Sequence, residues 1–215
     1  MPRQNNSPDR HTLMPTHNID ISLPLNTKYE SGNLVSRFLI RGFMRALIDF
    51  ASQVSPRTVL DVGCGEGVVL RQLGVLWDKV EIHGIDISVE LLRVAQRVAS
   101  RVDYLTGNVY QLPLPRHYYD LVICTEVLEH LANPETALAE IVRVGKGYCL
   151  LSVPREPWWR MANLMRGHYL TDGGNTPGHV SHWSSQGFIR FVKNYVDVVA
   201  ICQPFPWTVV LGRVP

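Results

Sequence analysis

Glu126, Glu129 and His130 stand in an E-x-x-E-H spacing just after the apolar run 119–125, which reads as a strand. Two carboxylates and an imidazole held that close are three candidate ligands for a divalent metal, and this donor chemistry suits magnesium, manganese or zinc. A metal so held would bind a hydroxyl oxygen, lower its pKa and present the alkoxide for attack. The same histidine has two other readings: a base or substrate contact working without metal, and a loop residue that only packs. An earlier group of residues also carries chemistry. The apolar Val59-Leu60-Asp61-Val62 runs into Gly63-Cys64-Gly65-Glu66-Gly67 and then into a helix-like stretch. Glycines at such a turn let the backbone pass close against a ligand, and they accept backbone angles that other residues resist.

A dinucleotide-binding turn would read G-x-G-x-x-G, but Val68 stands where its third glycine belongs. The string D-x-G-C-G-x-G, followed about 20 residues later by the strand-ending Asp86, instead resembles motif I of the class I methyltransferases that use S-adenosylmethionine. The stretch from Tyr119 to Leu131 resembles the fourth-strand motif of the same enzymes, most closely the ubiquinone-biosynthesis O-methyltransferase group.

The resemblance implies a cofactor site of Asp61, Gly63, Cys64, Gly65, Gly67, Asp86, Ile87, Asn108, Val109 and Thr125. In it Asp86 accepts the ribose hydroxyl hydrogens and Asp61 reaches the amino group of the methionine part. Asn108 departs from the aspartate usual in the family; its amide oxygen can accept from an adenine amino group and its nitrogen can donate to the ring. In that O-methyltransferase group, and in enzymes that methylate the 2′-hydroxyl at small-RNA 3′ ends, an E-x-x-E-H cluster with a later histidine binds a divalent metal. The matching histidine here is His179, four residues before Trp183. His130 and His179 are thus the candidate catalytic residues, and Glu126, Glu129, His130 and His179 the candidate metal set.

The elements needed to position these residues are legible as periodicity. Apolar residues at helical spacing fill 33–50, with Arg37, Arg41 and Arg45 on another face. After the glycine turn come a helix (67–77), a strand (80–86), a helix (88–100) opened by Ser88 as N-cap, two strands (102–108 and 119–125), a helix (134–144) and a strand (147–153). Strands alternating with helices mean a parallel sheet with right-handed crossovers. A last helix near 184–194, with Ser184 as N-cap, precedes two strands, 196–203 and 207–214, too close together for a parallel crossover and so antiparallel. The expected fold is α/β, a Rossmann-like doubly wound, mainly parallel seven-stranded sheet ending in an antiparallel hairpin.

The expected organisation is a mobile tail over 1–20 and one domain over 21–215, with an aromatic and methionine-rich insertion, 154–183, that reads equally as a lid over the acceptor or as static packing. The 215 residues suit one such domain, and 21 basic against 19 acidic residues give a net charge of +2. That balance supplies no basic stripe for nucleic acid. Four widely spaced cysteines fit a reducing cytoplasm, and no apolar run is long enough to span a bilayer. The expected activity is O-methylation of a small, partly apolar molecule; RNA 2′-O-methylation and a non-catalytic cofactor-binding partner subunit are the alternatives. Oligomeric state is not legible.

Overall fold

The computed structural model describes residues 34–156 and 180–215. The expected tail and most of the expected insertion, including His179, therefore lie outside the described residues. The described chain runs α1 (Leu34–Ala51), β1 (Thr58–Val62), α2 (Val68–Leu73), β2 (Glu81–Asp86), α3 (Val89–Val98), β3 (Asp103–Thr106), β4 (Tyr119–Thr125), α4 (Pro134–Val144), β5 (Gly145–Pro154), α5 (Ser185–Val192), β6 (Asp197–Cys202) and β7 (Trp207–Arg213). Short 3-10 turns follow α2 (Gly74–Leu76) and β4 (Leu128–His130).

Seven strands form one sheet in the order β3-β2-β1-β4-β5-β7-β6. β1 pairs in parallel with both β2 and β4, so the strand order reverses between β1 and β4. That reversal opens a crevice at the carboxyl ends of these two strands, where ligands of open α/β sheets bind. β7 pairs antiparallel with β5 and with β6, giving the expected C-terminal hairpin.

Burial explains why the central strands read as unbroken apolar runs. All five residues of β1 are buried, because helices cover both faces of a parallel sheet. On one face Phe43, Leu47 and Phe50 of α1 pack with Val59, Leu121, Leu150 and Leu211. On the other, Leu138 and Ile141 of α4 and Phe188 of α5 pack with Leu60, Val122 and Leu151. Both expected caps form: the Ser88 and Ser184 side chains accept from the amides of Leu91 and Gly187.

Several elements are shorter than their sequence periodicity indicates, two of them for visible reasons. The helix expected over 67–77 ends as an α-helix at Leu73 and tightens into the 3-10 turn. The strand expected over 102–108 ends at Thr106: Gly107 still donates to the Asp86 carbonyl of β2, but the chain then turns at Asn108. Among the described residues no helix is long and apolar enough to cross a membrane.

Candidate functional site

The glycine turn closes over the end of β1. Gly63 and Cys64 both donate to the carbonyl of Ile85, which ties the turn to β2. Gly63, Gly65 and Gly67 all have positive φ, at 75°, 52° and 74°. They are glycines for different reasons. A Cβ on Gly63 would run into the side chain of Val127. A Cβ on Gly65 would meet nothing within 4 Å, so at that residue the turn faces open space and the backbone is bare toward it.

Two carboxyl groups flank this turn. Asp86, the last residue of β2, takes the Gly65 amide on Oδ2 at 2.8 Å and the Ser88 amide on Oδ1 at 2.9 Å. One donor on each oxygen fixes the carboxylate and leaves further lone pairs for a ligand. Asp61, 1 % exposed, has no hydrogen-bond partner on either carboxyl oxygen. Burial, with Asp86 adding to it, pushes its pKa up to about 7. An orphaned buried carboxyl is costly unless a proton or a cation satisfies it.

The remaining expected cofactor residues differ in setting. Ile87 is 73 % exposed, an apolar side chain standing free beside Asp86. Cys64 is buried, and burial together with Asp61 and Asp86 raises its thiol pKa, which makes it an unreactive packing residue. Val109 is partly buried against the core. Asn108 is exposed and stands two positions beyond the end of β3, not at it. Its Oδ1 accepts from the Tyr110 amide at 3.0 Å, so the side chain closes a local turn of the kind asparagine favours.

Thr125 is buried at the end of β4. Directly after it Glu126 adopts φ 59°, which turns the chain sharply at the carboxyl edge of the sheet. Trp207 Nε1 donates to Glu126 Oε2 at 2.7 Å and Ser152 Oγ to Oε1 at 3.2 Å. Burial raises the Glu126 pKa to about 7, opposed by those two donors. Glu129 is 1 % exposed with both oxygens unpartnered. Burial, then the charge of Glu126, holds its pKa well above the ordinary carboxylate range.

His130, next to Glu129 in the chain, is exposed. Among the described residues no three histidine, cysteine, aspartate or glutamate side chains converge as a metal site. Of the expected metal set, the 3-10 turn after β4 buries Glu129 and leaves His130 exposed, while His179 lies outside the described residues.

The sequence reading passed over Ser152, Glu156 and Trp207. Glu156 lies two residues past β5, with its side chain 14 % exposed and both oxygens without a hydrogen bond. Its amide donates to the Trp183 carbonyl at 2.8 Å, and His182 Nδ1 lies 3.7 Å from Oε1. Its signal was its place just beyond a strand end, the same signal that picked out Asp86. Trp183 meets Phe188 edge-on and lies tilted against Phe191, as a packing anchor does.

Residues 60–151 match the family described as "Methyltransferase domain". The chain is 36% identical over 95 residues to ajmaline N-methyltransferase of Rauvolfia serpentina, covering 41% of this chain and 32% of that protein. It is 36% identical over 98 residues to the ubiquinone biosynthesis O-methyltransferase of Nitrosomonas europaea, covering 43% of this chain and 41% of that protein. The chain thus spans less than half the length of either relative. Its fold is similar to that of the magnesium protoporphyrin IX methyltransferase of Synechocystis, solved with bound SAH, at TM-score 0.64 and 18% identity over 86% of this chain and 89% of that one.

Proposed function

We propose, from the premise that residues 60–151 are a methyltransferase domain on a class I fold, that this chain transfers the methyl group of S-adenosylmethionine to an oxygen of a small, partly apolar acceptor. One observation carries the cofactor assignment: the orphaned Asp61 carboxyl lies beneath a glycine turn that is open at Gly65. The donor set fits the cofactor. Asp61 offers a buried anion to the ammonium, Asp86 a fixed carboxylate to the ribose hydroxyls, and Ile87 an exposed apolar side chain to the adenine face. When bound, S-adenosylmethionine supplies a sulfonium methyl that is open to direct displacement.

The chain contributes placement and proton handling. β4 lies beside β1 in the sheet, and this reading assigns Glu126 and Glu129, just past its carboxyl end, to the acceptor side. With its pKa raised to about 7, the Glu126 carboxyl is suited to take up a hydroxyl proton near neutral pH. His130, exposed in the next turn, is assigned as an acceptor contact on this reading.

The acceptor atom is the finer part of the proposal, because the two relatives carry the names of an N- and an O-methyltransferase. The test incubates the chain with methyl-labelled cofactor and a panel of phenols, quinols, sugars, lipids, amines and RNA, with and without EDTA. Label on a hydroxyl compound is the expected outcome, and its loss in EDTA would assign Glu126 and Glu129 to a metal. Label on RNA alone would support the alternative, and calorimetry showing no binding of S-adenosylhomocysteine would remove the cofactor assignment itself.

A further inference from the structure

Trp207 lies 81 positions beyond Glu126, and nothing in the local sequence links the two. Strand direction brings them together. β7 runs antiparallel to β5 with Trp207 opposite Pro154, the last residue of β5, so the first residue of β7 sits at the carboxyl edge of the parallel strands. There the indole is 5 % exposed and stacks on Phe43 of α1, ring centroids 4.8 Å apart and planes 26° from parallel.

The indole N–H donates to Glu126 Oε2 at 2.7 Å, and the Ser152 hydroxyl of β5 donates to Oε1 at 3.2 Å. Two donors on two strands thus hold one carboxyl, one on each oxygen. The neighbouring Glu129, in the 3-10 turn that follows, accepts no hydrogen bond on its carboxyl. Only one of the two glutamates is therefore oriented by the scaffold. Its backbone at φ 59° adds to that, since a non-glycine residue persists there only when its surroundings hold it.

We propose that Trp207 is a positioning residue for methyl transfer: its indole N–H, with Ser152, holds the Glu126 carboxyl in the one rotamer that faces the acceptor, and Phe43 fixes the indole. This rests on the assignment of Glu126 to the acceptor side. A glutamate side chain otherwise samples several staggered rotamers. Misplacing a reacting group by about 1 Å costs up to about 100-fold in rate. Packing alone would be served by phenylalanine at this position; the short, directional N–H bond to a carboxyl is what tryptophan adds.

Trp207→Phe keeps a ring against Phe43 and removes the N–H. With any acceptor that wild type methylates, kcat is expected to fall at least about tenfold while the acceptor KM and the S-adenosylhomocysteine affinity stay within about twofold, the pattern of an interaction made at the reacting atoms. Ser152→Ala, removing the other donor, should shift kcat the same way by less, and it carries the test if Trp207→Phe does not fold. A second readout needs no turnover. In a 1H–15N spectrum the Trp207 indole signal, assigned by its loss in Trp207→Phe, should lie downfield and move upfield in Glu126→Gln. Wild-type kcat in a folded Trp207→Phe, or an indole signal unmoved by Glu126→Gln, overturns the proposal. If wild type methylates nothing on the panel, the functional reading fails by itself, and a shifted or unshifted indole signal still decides whether Trp207 holds Glu126.

Discussion

Asp61 holds a buried carboxyl with a pKa raised to about 7, and this links pH to both folding and ligand binding with opposite signs. The folded chain keeps the Asp61 proton where the unfolded chain has released it, so its contribution to stability declines as pH rises from about 4 to about 7 and is level above. A bound ammonium reverses the preference by favouring the carboxylate. Affinity for S-adenosylhomocysteine should therefore rise about tenfold between roughly pH 6 and pH 8, with proton release at the lower pH, while Asp61→Asn should bind more weakly and with a flat profile. Calorimetry in buffers of different ionisation heat measures both quantities. At Asp86 the two turn amides already orient the carboxylate, so Asp86→Ala should cost about 1.5 to 3 kcal/mol of cofactor affinity through lost charge-assisted bonds. An unchanged dissociation constant would remove Asp86 from the site.

The glycine turn separates its folding role from its binding role at neighbouring glycines. Gly63→Ala pushes a methyl into Val127 and forces a strained φ, so a loss of about 2 to 4 kcal/mol in stability is expected. Gly65→Ala meets no atom of the chain and should cost only about 1 to 2 kcal/mol for its left-handed backbone. Its added methyl projects toward the open space assigned to the cofactor. Thermal unfolding with calorimetry should accordingly show Gly65→Ala well folded but at least about tenfold weaker for S-adenosylhomocysteine, the methyl denying the close backbone approach. Equal affinity in Gly65→Ala and wild type would show that no ligand approaches the turn there.

Across the whole molecule, the amino edge of the sheet is fastened independently of the site at its carboxyl edge. Asp120 of β4 accepts from the amides of Arg57 and Thr58 and from the Thr58 hydroxyl, with Lys146 of β5 at 3.3 Å. Burial opposes its ionisation, yet these partners outweigh burial and hold its pKa below the ordinary value. The stability it contributes is present above the unfolded value near pH 4 and is lost as pH falls through its lower folded pKa. Asp120→Ala should destabilise the fold by about 1 to 3 kcal/mol near neutral pH and leave S-adenosylhomocysteine affinity unchanged, as read by chemical denaturation and calorimetry. A parallel loss of affinity would mean that the two edges are coupled.

The amino-acid sequence by itself determined what depends on neighbours along the chain. The alternation of strands and helices, the glycine turn after Val62, the acid closing β2, the caps at Ser88 and Ser184 and the antiparallel hairpin forced by a short link all follow from periodicity and turn chemistry within a few residues. The tertiary structure alone decided which polar groups meet. It left Asp61 without a donor, turned the Asn108 amide onto its own backbone, buried Glu129 while exposing His130, and brought Trp207 and Ser152 onto Glu126. The physical reason is that a hydrogen bond between elements 81 residues apart depends on strand order and direction in the sheet, and neither is written in the local pattern of either strand.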